Sequence, residues 1–287
     1  MSTSEPVIRL ACFGAVFLLM ALWEIAAPQR PRSFSRTLRW PNNLGIVAVD
    51  TLLVRLVLPT AAVGIALHAQ AAGWGLLALT DWPAWFKIAV AFVALDLAIY
   101  LQHVLFHAVP AFWRLHRMHH ADLDFDVSTG VRFHPFEILL SLAIKIAVVA
   151  AIGAPPLAVL LFEIVLNATS MFSHGNVRLP ATLDRLVRLI VVTPDMHRVH
   201  HSIIPAETNS NFGFNFSLWD RIFGTYRPQP TQGQLGMTIG LSQFREPREL
   251  WLDRLLTQPF REDRGVQPFS GRHPALTPPH RDDTTAT

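Results

Sequence analysis

The chain has 287 residues, 51% of them hydrophobic and only 16% charged, with a net charge of +3 and a mean hydropathy of +0.32. Average soluble domains carry about 25% charged residues, so this composition suits a bilayer. The weak positive charge forms no basic stripe interleaved with aromatics, so no nucleic acid partner is expected. The single cysteine, Cys12, excludes an internal disulfide and means that thiolates cannot be the main metal ligands.

Five apolar stretches approach the ~20 residues needed to cross ~30 Å of hydrocarbon: 10–27, 44–68, 86–107, 136–152 and 157–172. Residues 1–6 carry Glu5 and no basic residue, and no clear small-residue cleavage site precedes Pro28. The first stretch reads as an anchor and not a signal peptide. The last two are short and joined by Gly153-Ala154-Pro155-Pro156, which predicts a tight helical hairpin that need not cross fully. Charge asymmetry sets the orientation. Arg30, Arg32, Arg36 and Arg39 follow the first stretch and place that loop in the cytoplasm; 69–85 then lies outside with one charge, Asp81. Residues 108–135 return inside with Arg114, Arg117 and Arg132, and everything from His174 onward is inside. The expected fold is an all-α integral membrane helical bundle of four to five membrane segments with a cytoplasmic helical cap.

Polar residues inside apolar runs are expensive in lipid and face protein. Here they are Asp50, Arg55, Asp96, Lys145, Glu163 and Asn167. Asp50 and Arg55 read as a structural pair. Asp96, Tyr100, His103 and His107 have spacings of four, three and four, one helical stripe. Asp96 there either receives the outer N–H of a ligand histidine or bonds a neighbouring helix. Further on, 182–192 alternates apolar and basic residues, fitting a membrane-interface helix or one packed on the cap. Pro194 predicts a fresh helix start, and 209–226 reads as ordered loop. Residues 261–287 read as a disordered tail, with His273 and His280 unrelated to any site; His68 falls on the opposite side. The division is thus 1–85 membrane segments, 86–260 catalytic domain and 261–287 tail.

The histidines carry the chemistry. H-x-x-H-H occurs twice, as His116, His119, His120 and as His197, His200, His201, and ten of the thirteen histidines lie between His103 and His201. On a helix, i, i+3 and i+4 share one face, so each copy aims three imidazoles at one point. Neutral imidazole suits iron, zinc or copper. His103 and His107 add an i, i+4 pair on the same side of the membrane. Those eight exceed one tetrahedral zinc. With His134 in Arg132-Phe133-His134-Pro135 and His174 in Ser173-His174-Gly175-Asn176 the count is ten, enough for two metals with four or five nitrogens each and no cancelling carboxylate. A pair of redox metals at a membrane face suits dioxygen chemistry on a lipid C–H bond, with one oxygen atom leaving as water and the other returned as hydroxyl.

The ordered set Asp96-x3-Tyr100-x2-His103-x3-His107, His116-x2-His119-His120, Arg132-Phe133-His134-Pro135, His174-Gly175-Asn176, Pro194-x2-His197-x2-His200-His201 and Leu218-Trp219-Asp220-Arg221-x-Phe223-Gly224-Thr225 resembles the fatty acid hydroxylase/sterol desaturase superfamily over about residues 90–260. The resemblance implies an integral membrane oxidoreductase with two iron ions. His103, His107, His116, His119, His120, His174, His197, His200 and His201 would be ligands, His134 one more, and Asp96, Tyr100 and Asn176 outer partners. With no fused cytochrome domain, it also implies a separate electron donor, a ferredoxin or small cytochrome with its reductase, and a lipid substrate in a bacterial-type inner membrane or an ER-type membrane. Hydroxylation and desaturation share their first hydrogen abstraction, so the sequence leaves both open. A metal transporter is disfavoured because such sites sit near the midplane between repeated halves. A one-metal zinc hydrolase would leave half the histidines unused.

Overall fold

A computed structural model describes residues 5–262. The expected tail and its His273 and His280 lie outside the described residues, apart from residues 261 and 262. Nine helices position the site: α1 Glu5–Ala26, α2 Arg36–Val57, α3 Ala61–Ala72, α4 Ala84–Ala108, α5 Pro110–His120, α6 Pro135–Ile152, α7 Pro156–Ser173, α8 Ala181–Val187 and α9 Pro194–His200. Among the described residues there is no strand, only three isolated bridges. Five helical stretches are long and apolar enough to cross a membrane: α1, the run that holds α2 and α3, α4, α6 and α7.

The second stretch is two helices. Pro59 cannot continue α2, and the residue before a proline is pushed out of the helical region; Leu58 sits at φ −143°, ψ 82°. α3 then restarts and packs on α6 and α7, placing Ala62, Val63 and Ala66 in one core with Val149 of α6 and Ala158, Val159 and Phe162 of α7. Small residues let helix backbones approach closely where lipid gives no hydrophobic drive. The α6–α7 hairpin turns at Gly153 and meets the loop after α3 at Gly75. A Cβ on Gly75 would lie 2.0 Å from the Gly153 nitrogen, and Gly75 has φ +89°, so only glycine fits. That contact puts both turns at one end of the bundle, as the alternation of segments requires.

The other end carries the cap. Arg39 is fully buried, its guanidinium 2.7 Å from Asp122 and 2.5 Å from Asp126. Burial raises the Asp122 carboxyl, but Arg39 and Arg132 outweigh it and hold that carboxyl well below the usual range. Glu24 accepts from the Val127 (2.6 Å) and Asn176 (2.9 Å) backbone N–H groups, and Asp124 accepts from Phe34 at 2.7 Å. The α1–α2 loop is thus sewn to the cap, and its arginines lie on the histidine side. The Asp50–Arg55 pair is not formed: five residues apart they leave the helix on different faces, Asp50 inward and Arg55 exposed. In residues 182–192 only α8 is regular. Leu183, Leu186, Leu189 and Ile190 point outward, while Asp184 and Arg188 pair inward. This inside-out polarity fits a segment at the membrane interface.

Candidate metal centre

Four helices deliver histidines at their C-terminal ends. α4 brings His103 and His107, α5 brings His116, His119 and His120, His174 caps α7, and α9 with its cap brings His197, His200 and His201. α5 and α9 each begin with a proline at the first position, where no N–H is needed. Thr193 caps α9 by accepting from Met196 at 3.4 Å. Helix C-termini carry partial negative charge, so four of them pointed at one place favour a cation there.

The nine rings form two groups: His103, His107, His116, His120 and His200, and His119, His174, His197 and His201. Within a group the ligand nitrogens all lie within 4.8 Å of one another, and every residue is buried. Nε2 of His116 stands 3.1 Å from Nε2 of His103 and 3.2 Å from that of His120. In the second group Nε2 of His174 is 3.1 Å from both His119 and His197. Two nitrogens ~2.1 Å from a common ion and at right angles sit about 3 Å apart, so these spacings match rings that share an ion. The groups adjoin: the His120 and His201 rings stack at 4.5 Å.

The outer nitrogens decide what the inner ones offer. Nδ1 of His103 donates to the Phe212 carbonyl at 2.7 Å, that of His119 to Arg132 at 3.0 Å, that of His174 to Ser170 at 2.7 Å and that of His200 to Ser210 at 2.7 Å. A carbonyl only accepts, so these rings carry their proton on Nδ1 and turn an Nε2 lone pair inward. Nε2 of His200 and both nitrogens of His201 have no hydrogen-bond partner. Burial lowers His119, His120, His197, His200 and His201 well below the ordinary imidazole value and pushes His174 down to about 4. Neutral rings with converging lone pairs repel one another unless a cation lies between them, so the donor set fits metal ions. Two aromatics shield it from water: Phe133 lies flat on His119 at 4.5 Å and Phe125 on His174 at 5.4 Å.

Not every expected site residue arrives. His134 is not brought to either group. It caps α6, with Nδ1 accepting from the Phe136 N–H at 3.2 Å and Nε2 against the Leu256 carbonyl at 3.1 Å, so both ring nitrogens are taken by backbone. Asp96 does not touch a histidine; it accepts from the Trp219 indole at 2.8 Å and from the Phe216 N–H at 3.3 Å. It therefore anchors the loop whose Phe212 carbonyl orients His103. Tyr100 meets Thr225 Oγ1 at 2.9 Å and works on the same loop. Asn176 exchanges two hydrogen bonds with the Arg30 backbone, at 2.9 and 3.0 Å. The reading that no carboxylate attends the histidines needs correction: Glu137 accepts from His116 Nδ1 at 2.6 Å. Its signal was an acidic residue opening an otherwise apolar helix, three residues past His134. A cavity of about 320 Å³ among α1, α2, α4, α6 and α7 reaches His103 and His116.

Residues 88–225 match the fatty acid hydroxylase family model. The match covers just under half of the chain, so the likeness to that family is one of residues 88–225. The match begins in α4 and ends at Thr225, so it takes in all nine converging histidines. Relatives of the same superfamily include ornithine lipid hydroxylase OlsE of Rhizobium tropici, 32% identical over 161 residues, 55% of this chain and 47% of that protein. Human alkylglycerol monooxygenase is 28% identical over 170 residues, 58% of this chain and 36% of its own length. Rat cholesterol 25-hydroxylase is 27% identical over 150 residues, 52% and 49%. The chain spans less than half the length of each. No solved structure matches it.

Proposed function

We propose that the protein is a membrane-bound monooxygenase that hydroxylates a C–H bond of a lipid at a di-iron site. The observation that carries this reading is the convergence of nine buried imidazoles in groups of five and four, with His103 and His116 lining a cavity among the membrane-length helices. His103, His107, His116, His120 and His200 would hold one ion and His119, His174, His197 and His201 the other. Two irons there would supply reductive activation of dioxygen and abstraction of hydrogen from carbon. The chain's own residues do the rest. Backbone carbonyls and Glu137 hold the imidazoles in the ligand tautomer, Phe125 and Phe133 exclude water, and the helices of the cavity bring an apolar chain to His103 and His116. All-nitrogen ligation suits a redox ion of borderline softness, and the named relatives are lipid hydroxylases and monooxygenases.

Electrons would come from a small redox protein, a ferredoxin or cytochrome, docking on the cap. The arginines sewn to the cap support a cytoplasmic position for the histidines. The test is lipid mass spectrometry of cells with and without the gene, grown under ¹⁸O₂. The expected product gains one labelled oxygen atom. Loss of two hydrogens without oxygen would replace hydroxylation by desaturation, and unlabelled product formed without dioxygen would overturn both.

A further inference from the structure

Among the described residues, three side chains on the wall of the cavity that reaches His103 and His116 carry a buried oxygen with no hydrogen-bond partner: Oδ1 of Asp50, Oε2 of Glu137 and Oε1 of Gln102. They come from α2, α6 and α4. The residues are 8%, 3% and 9% exposed. All three atoms are acceptors, and two belong to carboxylates. A buried acceptor without a donor is costly, a carboxylate oxygen most of all. Among the described residues no cation answers them. Arg55 points away from Asp50. Lys145 and Arg9 line the same cavity, but both bind Glu163, and Lys145 lies eight residues beyond Glu137, about 12 Å along α6. Asp50 lies within electrostatic reach of Glu137, and Gln102 donates to Ser141, one turn past Glu137 on α6, at 3.0 Å, so one end of the cavity carries two carboxyl groups and an amide oxygen with nothing to receive. A purely apolar lipid chain would bury those oxygens unpaired, and a proton on one carboxyl would still leave the other acceptors open.

We propose that this end of the cavity binds a primary ammonium group carried by the lipid substrate. An ammonium brings three N–H donors to three acceptors and cancels charge where the surroundings screen least. Asp50 and Gln102 are specificity residues that touch the head group. Glu137 does two things at once, one oxygen on His116 and the other toward the ligand. The alkyl part of the ligand rests on the reading of the cavity as a lipid site; the ammonium part rests on the three orphan acceptors alone.

The full-length protein as purified, in phosphatidylcholine nanodiscs, is titrated with dodecylammonium, dodecyltrimethylammonium and dodecanol, with empty nanodiscs subtracted. Dodecylammonium should bind at least tenfold tighter than either of the others. Asp50→Asn should erase that preference, and Gln102→Leu should reduce it several-fold. Asp50 has no ion pair to lose, so the Asp50→Asn protein should melt no lower than wild type, which separates lost binding from lost fold. Equal binding of the trimethylated probe, tighter binding of dodecanol, or an unchanged preference in Asp50→Asn would each overturn the proposal. Iron content and oxygen-dependent turnover are measured on the same preparations. Two irons with no ammonium preference removes this inference alone, whereas the preference without iron sustains it and removes the di-iron reading.

Discussion

Glu137 makes the two histidine groups distinguishable, because it touches only one of them. Its Oε1 takes the His116 Nδ1 proton at 2.6 Å in a buried setting, while His119 and His174 of the other group use the Arg132 and Ser170 carbonyls. Replacing an outer partner of a metal-bound histidine lowers metal affinity by about 10–100-fold, or roughly 1.4–2.7 kcal/mol. Glu137→Gln keeps an acceptor oxygen and loses the charge, so it belongs near the low end. Glu137→Leu leaves a buried N–H unpaired, which costs ~1–3 kcal/mol, and belongs near the high end. Dialysis against graded chelator, followed by metal analysis, reads the effect. Wild type should begin with two ions per chain. In Glu137→Gln one of them should leave at about tenfold lower chelator and the other at the wild-type concentration; in Glu137→Leu the gap should widen toward 100-fold. If both ions leave together in either variant, or neither shifts, the assignment of Glu137 to one ion is wrong.

His119→Ala and His200→Ala each remove one ligand from a different group and should each lower turnover more than 1000-fold, with helical content by circular dichroism unchanged. Activity retained in both would refute their role as ligands. Trp219→Phe deletes the indole N–H that Asp96 accepts; an unpaired buried acceptor costs ~1–3 kcal/mol, so the melting temperature should drop while metal content holds. For orientation, single cysteines placed at Gln243 and Asp81 in a Cys12→Ala background should label from opposite sides of sealed right-side-out vesicles. Asp81 should react with a membrane-impermeant maleimide and Gln243 only after permeabilisation. The reverse pattern would invert the topology.

The parts of the fold that depend on local periodicity were readable in the sequence. Apolar runs of membrane length gave five spans, proline at the first position gave the start of α9, and H-x-x-H-H at helical spacing gave the ligand faces. What depended on distant partners was not readable. His134 looks like its neighbours in composition, yet a histidine before a proline can cap the helix that follows, and that local bond wins here. Arg39 counted as a charge that sets topology, but Asp122 and Asp126 bury it, because a carboxylate pair some 85 residues away has no signature in a hydropathy plot. Asp96 was placed correctly on the stripe of His103 and His107 and still serves the 209–226 loop, since only the tertiary fold brings Trp219 within reach. The second apolar run broke at Pro59, where the general proline rule should have outweighed the run's length.

These long-range bonds also say what holds the centre together. The segments that carry the histidines are fixed by contacts that need no metal: Arg39 with Asp122 and Asp126, Glu24 with the Val127 and Asn176 backbone, and Asp96 with Trp219. Asp220 adds the Phe212 and Gly213 N–H groups, at 2.7 and 2.9 Å. The carbonyls that set the imidazole tautomers lie on these same segments, so the rings are oriented by the chain before any ion binds. A zinc finger behaves oppositely, since its ligands have no other reason to meet. Stripping the ions should therefore abolish turnover yet leave the cap folded. Helical content should be unchanged, and limited proteolysis should cut the 209–226 loop no faster than in the loaded protein. Rapid cleavage there after chelation would mean that the metal, and not the buried carboxylates, organises the cap.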